Sequence, residues 1–403
     1  MRGAFSSTDI LLPKVTSYEA WAVIAVDQFT SDYEYWKRVE SFVGDENSTL
    51  RMVLPEIFLE HDAQDKIRKI SDTMIKYVND DVFQNYPMSF IYVERTLLDG
   101  SIRPGIVGVI DLEQYHYDPA NQPVVGATEQ TILERVPPRI AIRKEAELEF
   151  SHVILFCKDY NDQIFAPITA QKDSLTKIYD FMLMENGGHI SGWLIQGESV
   201  EKLETKLFQY QSAAEGTAYL VADGNHSLVT AKCWYEELKR TNPGVDYSNH
   251  PARFALVELE NILDPSIVFE PIHRVLFDVD AKKFLEDLKQ LDDEVGCEIS
   301  WISGEQRGTV RVPIPEGELP VAVLQNHLDK WMSENDGRID YIHDAEAVES
   351  FANKENAVGL LLPVFDKDAL FAFGAAGKIL PRKTFSLGHG REKRYYLEGR
   401  KIR

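Results

Sequence analysis

An Asp-Gly-Asn-His turn separates an apolar stretch from an amphipathic one in the segment AYLVADGNHSLVTAK, residues 218–232. The apolar residues 218–222 predict a strand. The residues that follow repeat at helical spacing from His226 to Lys239, with an apolar face made of Leu228, Ala231, Trp234, Tyr235 and Leu238. The turn therefore lies at a helix N-terminus, where unpaired N–H groups and a partial positive charge attract phosphates and other anions.

The residue types in this turn suit phosphate chemistry. Gly224 has no Cβ and allows close approach of a ligand to the backbone amides, including that of Asn225. Asp223 is a candidate metal ligand or proton acceptor, and His226 is a candidate hydrogen-bond donor to a phosphate oxygen or a proton shuttle. Ser227 adds a hydroxyl donor. The plain alternative is a capping turn in which Asp223 or Asn225 caps the helix and His226 faces solvent.

A second group of polar residues lies in 126–143, GATEQTILERVPPRIAIR. Paired Glu and Arg side chains beside two prolines indicate a rigid anion-binding wall, and a carboxylate such as Glu134 is a candidate base for a substrate hydroxyl. The alternative is a surface ion-pair network. The candidates are Glu129, Thr131, Glu134, Arg135, Arg139 and Arg143.

Three further places carry polar residues in apolar surroundings. Asp27 and Gln28 follow the apolar run 21–26, where α/β proteins often place ligand-binding groups, although a strand-end turn explains them too. The pair His273 and Arg274 is interpreted as structural. The segment 378–403 is strongly basic and is either a charge-balancing tail or a set of cations for an anionic ligand, and its Tyr395, Tyr396 and Leu397 predict a packed strand.

Composition excludes several classes of protein. The 403 residues carry a net charge of −22, which opposes nucleic-acid binding. No apolar stretch is long enough to span a bilayer, and the N-terminus has no apolar leader. Three isolated cysteines indicate neither disulfides nor a thiolate zinc site, so we expect a cytoplasmic protein. Ten scattered histidines show no zinc spacing. Any Mg²⁺ would arrive with a nucleotide or pyrophosphate and use a carboxylate such as Asp223.

Strand-like and helix-like segments alternate along the chain, which predicts an α+β (mixed α/β) fold. Residues 89–98 and 102–112 form a predicted hairpin about Asp99-Gly100. Residues 32–42, 62–79 and 174–184 predict helices. We expect a larger domain over 1–280 and a smaller C-terminal α/β unit over 281–403 that includes the basic end.

Several sequence blocks together resemble those of a known protein family. They are WAVIAVDQFTSDYEYW (21–36), ATEQTILERVPPRIAIR (127–143), LMENGGHISGWLI (183–195), VADGNHSLVTAKCWYEELK (221–239) and DPSIVFEPIHRV (264–275). In these blocks and their order the chain resembles domain-of-unknown-function family 1015, and its Asp-Gly-x-His turn resembles the signature of the ParB/sulfiredoxin-like superfamily. The resemblance implies a ParB/sulfiredoxin-like core with large insertions.

The resemblance also implies a chemistry, since the superfamily includes free-serine kinases. It implies phosphate held at Gly224, Asn225, His226 and Ser227, and a carboxylate base carried over to Glu134 with Glu129 as a rival. Many relatives have Arg where Ser227 stands, so a cation must come from elsewhere, and Lys383 is a candidate. The catalytic cysteine of sulfiredoxin has no counterpart in the turn. Cys233 lies farther along the helix and is interpreted as core.

The main hypothesis is a phosphotransferase that moves phosphate from ATP, ADP or pyrophosphate, with Mg²⁺, to the hydroxyl of a free amino acid or similar compound. Asp223, His226 and Glu134 would be catalytic. Arg135, Arg139, Arg143 and Lys383 would neutralise phosphate charge. Asp27, Gln28, Glu129 and Thr131 would contact the substrate. The alternative is a non-catalytic nucleotide-binding regulator, with nucleic-acid binding a weaker third hypothesis. A homodimer is left open.

Overall fold

A computed structural model describes residues 3–30, 32–58, 63–118, 121, 123–129, 136–381 and 383–403. The described chain divides into two compact units. The first contains the chain up to Ile267 together with Gly374–Lys378 and His389–Arg403, and the second contains Val268–Phe373 and Ile379–Gly388. Thr131, Glu134 and Arg135 lie outside the described residues.

Helices and strands are mixed throughout the described chain, which confirms the predicted α+β class. The α-helices are α1 (Tyr18–Trp21), α2 (Tyr33–Val43), α3 (Ala63–Asn79), α4 (Val136–Glu145), α5 (Ala166–Thr169), α6 (Glu198–Ala213), α7 (Asn225–Thr241), α8 (Ala281–Leu288), α9 (Pro320–Glu334), α10 (Ala345–Ala352) and α11 (Ala369–Ala375). Within the described part, every helix is too short or too polar to cross a membrane.

The strands alternate with these helices along the chain. They are β1 (Phe5–Ser6), β2 (Thr8–Pro13), β3 (Val23–Ile24), β4 (Phe83–Thr96), β5 (Ile102–Asp111), β6 (Tyr115–His116), β7 (Val125–Gly126), β8 (Leu148–Phe150), β9 (Ile154–Cys157), β10 (Thr176–Met182), β11 (His189–Ile195), β12 (Tyr219–Asp223), β13 (Phe254–Asn261), β14 (Phe269–Pro271), β15 (His273–Phe277), β16 (Cys297–Ser303), β17 (Gln306–Val312), β18 (Arg338–Ile342), β19 (Val358–Leu361), β20 (Phe385–Leu387), β21 (Tyr395–Tyr396) and β22 (Gly399–Lys401).

A large mixed sheet forms the centre of the first unit. Its described strands run in the order β6-β7-β12-β9-β13-β5-β4-β2-β22-β8, with β1 on β5, and with β11 on β4 carrying β10. β13 is parallel to β9, and β12 is antiparallel to β9. This order places the end of β12, where the Asp-Gly-Asn-His turn begins, beside the start of β9. The predicted hairpin is confirmed, because β4 pairs antiparallel with β5 about a turn in which Gly100 has a φ of 85°.

The helix predicted over 174–184 is wrong, since Thr176–Met182 is strand β10 and pairs with β11 from Thr176 opposite Leu194 to Met182 opposite His189. The segment contains Ile178, Tyr179 and Phe181, and β-branched and aromatic residues favour a strand that is covered on one face. Its rings are covered by Tyr18, whose ring centroid lies 5.4 Å from that of Phe181. Tertiary packing thus outweighs an apolar spacing that suits a helix equally well.

The C-terminal end is packed, as the aromatic residues in it predict, and it belongs to the first unit. β21 pairs with β3, and β22 pairs with both β2 and β8. Tyr395, Tyr396 and Leu397 are buried. The indole of Trp21 donates a hydrogen bond of 3.0 Å to the carbonyl of Leu397. The basic composition of this segment therefore does not make it a loose solvated tail.

A cluster of buried charges joins this C-terminal segment to the main sheet. Arg394 donates from Nε to Glu258 Oε2 at 2.7 Å and from Nη2 to Glu398 Oε2 at 2.8 Å. Arg95, on β4, donates to both Glu258 and Glu260 on β13. All five side chains are almost completely buried. The carboxylates and guanidinium groups therefore compensate one another in a region that water does not screen.

Glu260 gives this cluster a predicted pH dependence. Burial raises the pKa of Glu260 to about 7. The positive charges of Arg95 and Arg103 lower this pKa, and the negative charge of Glu258 raises it. In the unfolded chain the same carboxyl titrates near its usual 4.5. At a pH between the unfolded and folded pKa values, the folded protein keeps Glu260 protonated more than the unfolded chain does. The contribution of Glu260 to the free energy of unfolding therefore falls as pH rises through this range, by roughly 3 kcal/mol in all.

Urea unfolding from pH 4.5 to 8 checks this prediction through the difference between the unaltered protein and Glu260→Gln. We expect this difference to change by about 3 kcal/mol across the window, because the glutamine cannot titrate. Glu305→Gln, in the exposed turn between β16 and β17, is the control and should leave the pH dependence unchanged. A difference that is flat with pH contradicts a raised pKa at Glu260.

The second unit contains a separate antiparallel sheet in the order β17-β16-β19-β15-β18. Its core includes Phe284 of α8 against Trp331 of α9, with ring centroids 5.1 Å apart. Arg274 is fully buried and donates to Gln325 Oε1 and to the carbonyls of Ile272 and Lys383. His273 Nδ1 accepts from the amide of Leu362 at 3.1 Å. The structural interpretation of His273 and Arg274 is confirmed by these contacts.

Candidate functional site

The Asp-Gly-Asn-His turn joins β12 to α7 through a left-handed glycine. Gly224 is the N-cap of α7, with φ 79° and ψ 25°. Most N-cap residues supply a side-chain oxygen that accepts from the amides of the first helical turn. A glycine N-cap supplies no such acceptor. The 17-residue helix therefore presents its positive end at the close of the strand, as the sequence predicts.

Close packing around Gly224 requires the absence of a side chain. A Cβ at this position would lie 2.9 Å from Val153 Cγ2 and 3.4 Å from His152 Nε2. Gly224→Ala therefore combines a strained φ with a steric clash, and we expect it to lower the free energy of unfolding by about 2–4 kcal/mol.

A matched control separates the two causes. Gly216 also has a positive φ, of 93°, but open space surrounds its Cβ position. Gly216→Ala should therefore cost only the conformational part, about 1–2 kcal/mol. Chemical denaturation of both variants measures the difference, and equal losses would show that Val153 and His152 yield to the added methyl group.

Asp223 forms a half-buried ion pair with a lysine from the C-terminal segment. Lys393 Nζ lies 3.1 Å from Asp223 Oδ2, and the side chains are 10% and 18% exposed. The other carboxylate oxygen accepts from the amide of Gly224 at 2.8 Å. Burial disfavours the charge of Asp223, but the Lys393 ammonium and the His152 ring together hold its pKa below the usual value. Asp223 is therefore an anion at neutral pH.

His152 stands between a tyrosine and an aspartate beside this turn. Its Nδ1 lies 2.8 Å from the hydroxyl of Tyr396, and its Nε2 lies 3.7 Å from Asp27 Oδ2. Because the Tyr396 oxygen accepts from the amide of Val26 at 3.4 Å, its own hydrogen is available for Nδ1. This assignment leaves the hydrogen of His152 on Nε2, which lies near Asp27 and 3.4 Å from the position that a Cβ on Gly224 would take.

Arg139 brings a further cation to the same group of side chains. It lies on α4 and forms an ion pair with Glu56. Burial lowers its pKa, while the nearby charges of Asp27 and Tyr396 act in the opposite direction. Asp27, Arg139, His152, Asp223 and Lys393 thus come from five distant segments, within electrostatic reach of one another.

Asn225 holds the turn in place. Its side-chain Nδ2 donates a hydrogen bond to Thr128 Oγ1, and its Oδ1 accepts one from the backbone N–H of Thr128. Both distances are 3.3 Å. The Thr128 hydroxyl donates in turn to the carbonyl of Val221 at 2.6 Å. Both side chains are buried. The start of α7 is therefore fastened to the segment that carries Glu129, which is half-buried.

The remaining predicted residues have different surroundings. His226 and Ser227 are half-buried on the first turn of α7, and Gln28 donates to Asp27 Oδ1 at 3.2 Å. Arg143 pairs with the buried Glu149 at 2.8 Å and lies over Trp234. Lys383 is exposed in the second unit, with a φ of 59°. The lysine that contacts Asp223 is Lys393.

A cavity of about 160 Å³ opens beside this group. Its wall includes Ser227 from α7, Arg139 from α4, and His152. Among the described residues, no cluster of three or more His, Cys, Asp or Glu side chains has the arrangement of a metal site. Asp223, the predicted metal ligand, accepts from the Gly224 amide with one oxygen and pairs with Lys393 through the other, and each oxygen keeps a further lone pair.

Four residues that take part in this arrangement are not among the predicted site residues, and they are Glu56, His152, Lys393 and Tyr396. Lys393 and Tyr396 lie in the basic segment 378–403, for which cations toward an anionic ligand were one of two interpretations. His152 begins the apolar run SHVILFC, and a histidine at the start of a buried strand is a usable but weak signal. Nothing in the local sequence distinguishes Glu56.

Comparison with known proteins gives a family and distant structural likenesses. No curated protein matches the chain. A free serine kinase in complex with AMP has 11% identity and a TM-score of 0.39, with 73% of this chain and 91% of that one covered. A conserved hypothetical protein from Pyrococcus furiosus has 12% identity and a TM-score of 0.38, with 73% and 94% covered. SbnI with a C-terminal truncation, from Staphylococcus aureus, has 8% identity and a TM-score of 0.36, with 70% and 83% covered.

The family assignment rests on the sequence model described as "Protein of unknown function (DUF1015)", which matches residues 10–366. This match spans most of the 403 residues and includes the turn at 223–226, Asp27, Arg139 and His152. The chain therefore belongs to the DUF1015 family.

Proposed function

We propose that the protein is a cytoplasmic small-molecule phosphotransferase, which moves a phosphoryl group from a nucleotide or pyrophosphate to a hydroxyl. The observation that carries the proposal is a group of three side chains around the start of α7. Lys393 pairs with Asp223, His152 lies beside Gly224, and Arg139 lines the same cavity as Ser227. Three cationic or N–H donor side chains beside a glycine-capped helix end form a strong anion site. The sequence resemblance to free-serine kinases and a ParB/sulfiredoxin-like core agree with this chemistry.

Each donor has a defined role in this proposal. The amides of Gly224 to Ser227 and the His226 side chain hold the donor phosphates. His152 donates its Nε2 hydrogen to the transferred group, with its tautomer fixed by Tyr396. Lys393 and Arg139 neutralise the charge that develops on the phosphoryl oxygens during transfer.

Asp27 is the base that we propose among the described residues. Its carboxylate lies 3.7 Å from His152 Nε2, on the same side as the anion site. It is half-buried and therefore within reach of a substrate hydroxyl. Proton transfer from the hydroxyl to Asp27 would raise the nucleophilicity of the oxygen as it attacks phosphorus. Glu134 stays the rival base predicted from the sequence.

The test mixes purified protein with Mg²⁺, one of ATP, ADP or pyrophosphate, and a panel of free amino acids and polyols, with ³¹P NMR as the readout. We expect a phosphomonoester signal with one donor. Asp27→Asn should lower the transfer rate by about 100-fold or more and leave donor affinity nearly unchanged, as expected for loss of a general base. Asp336→Asn, at an exposed site in the second unit, is the matched control.

The outcomes separate three cases. Transfer that persists in Asp27→Asn but is lost in Glu134→Gln moves the role of base to Glu134. Donor binding by calorimetry without transfer to any hydroxyl favours the non-catalytic nucleotide-binding protein, for which the engagement of both Asp223 oxygens is the favourable observation. Absence of donor binding overturns the phosphate site itself.

A further inference from the structure

The cavity beside the anion site is lined by both polar and apolar residues. The polar ones include Arg139, His152 and Ser227, and Ser227 lies on the first turn of α7. The rest of the wall is largely hydrocarbon from strands, α3, α4 and α7. These apolar lining residues include Met74, Ile142, Leu228, Ala231 and Leu256.

The size of the cavity identifies what fits. Its volume of about 160 Å³ is close to that of an engineered apolar cavity of roughly 150 Å³ in another protein, which binds benzene. A serine or glycerol molecule has no apolar group of this size. An acceptor that carries only a hydroxyl and small polar groups would leave the hydrocarbon wall uncovered.

Further polar side chains lie among these apolar residues, and they are Glu56, Arg143, Glu149, Ser151, Thr230 and Tyr396. Arg143 lines the cavity and is 13% exposed, and its Nη2 lies 2.8 Å from Glu149 Oε1. Its Nε is buried and makes no hydrogen bond within the described part of the structure. A buried N–H without an acceptor is unfavourable, so a ligand oxygen at this place would satisfy it.

We infer that the acceptor is an alcohol bearing an apolar group of about the size of a benzene ring, with a hydrogen-bond acceptor on the far side of that group. The hydroxyl would lie near His152 and Asp27, and the ring between α4 and α7. The oxygen on the far side would accept from Arg143 Nε. This inference rests on the proposed function, since it names the substrate class of the same site.

The test compares three compounds that share one amino-alcohol head: L-serine, 3-phenylserine and 3-(4-hydroxyphenyl)serine. Affinities are measured by calorimetry in the absence of a donor. We expect 3-phenylserine to bind about 10- to 100-fold more tightly than serine, the gain that accompanies full burial of an aromatic side chain. The para-hydroxyl should tighten binding a few-fold further through Arg143. Serine binding as tightly as phenylserine overturns the inference, and weaker binding of the hydroxylated ring removes Arg143 from it.

Two further measurements locate the ring. Ala231→Leu fills the cavity and should abolish the preference for phenylserine, while Ala281→Leu on α8 in the second unit should retain it. If the filled variant does not fold, nuclear Overhauser effects in the unaltered protein replace it. Ring protons should then show contacts with the methyl groups of Leu228 and Leu256, and contacts with other methyl groups only would overturn the assignment.

Donor binding distinguishes the failure of this inference from the failure of the proposed function. Ala231→Leu leaves the amides of the α7 N-terminus and Lys393 in place, so its nucleotide or pyrophosphate affinity should match that of the unaltered protein. Ring-dependent binding without any donor binding would retain the apolar subsite and overturn the phosphotransferase. Donor binding without ring preference would overturn the apolar subsite and retain the phosphate site.

Discussion

Replacement of Lys393 by Met is expected to weaken donor-phosphate binding by about 10- to 100-fold, the loss expected when a charged hydrogen bond to an anion is removed. The same change removes the cation that lies 3.1 Å from Asp223. It leaves a carboxylate with limited access to water, and we expect a loss of about 3 kcal/mol in the free energy of unfolding, at the lower end for broken buried pairs. Calorimetry with the donor and urea unfolding measure the two effects.

A double variant separates the structural effect from the functional one. Asp223→Asn combined with Lys393→Met replaces the ion pair by two uncharged side chains, so most of the lost stability should return. Phosphate affinity should not return, because the cation is still absent. Asp223→Asn alone keeps Lys393 and should bind the donor at least as tightly as the unaltered protein.

The control is Lys401→Met, since Lys401 is exposed on β22 and its loss should change neither quantity. Wild-type donor affinity in the double variant would mean that Lys393 serves only to balance Asp223. The phosphate site would then consist of the helix end, His152 and Arg139, and the proposed neutralising role would pass to Arg139 alone.

The local part of this site is readable in the sequence. A short apolar run, a glycine and an amphipathic helix predict the turn between β12 and α7, because each depends only on neighbouring residues. Asp27 could be predicted in the same way, as a polar residue directly after an apolar run. The sequence predicts a phosphate contact for the backbone amide of Asn225, and the structure adds that its side chain holds Thr128.

The partners of the turn are not readable, because they depend on pairing between distant strands. Lys393 reaches Asp223 because β21 pairs with β3 and brings the end of the chain to the start. His152 reaches Tyr396 through the same pairing. A single sequence shows the charge of 378–403 but not which of its cations face a site. In the structure Lys393 faces Asp223, while Arg394 and Arg400 are buried against glutamates.

Arg394→Met is expected to lower the free energy of unfolding by about 3–5 kcal/mol, the range for removal of one partner from a buried ionic network. Arg394 is 3% exposed and donates to Glu258, to Glu398 and to the carbonyl of Ser151. Its removal leaves two carboxylates without that cation. Glu398 would still accept the hydrogen bond from the Tyr179 hydroxyl, at 2.6 Å.

Lysine at this position should restore only part of the loss, because one ammonium cannot reach two carboxylates and a carbonyl with the fixed geometry of a guanidinium. Arg240→Met, at the exposed end of α7, is the matched control and should cost less than about 0.5 kcal/mol. Urea unfolding gives the energies. Limited proteolysis gives the location, since cleavage should increase first within 389–403, which Arg394 ties to β13. A loss below about 1 kcal/mol, or full rescue by lysine, would show that water or Arg95 compensates Glu258 and Glu398, and that the C-terminal segment is held by its apolar residues alone.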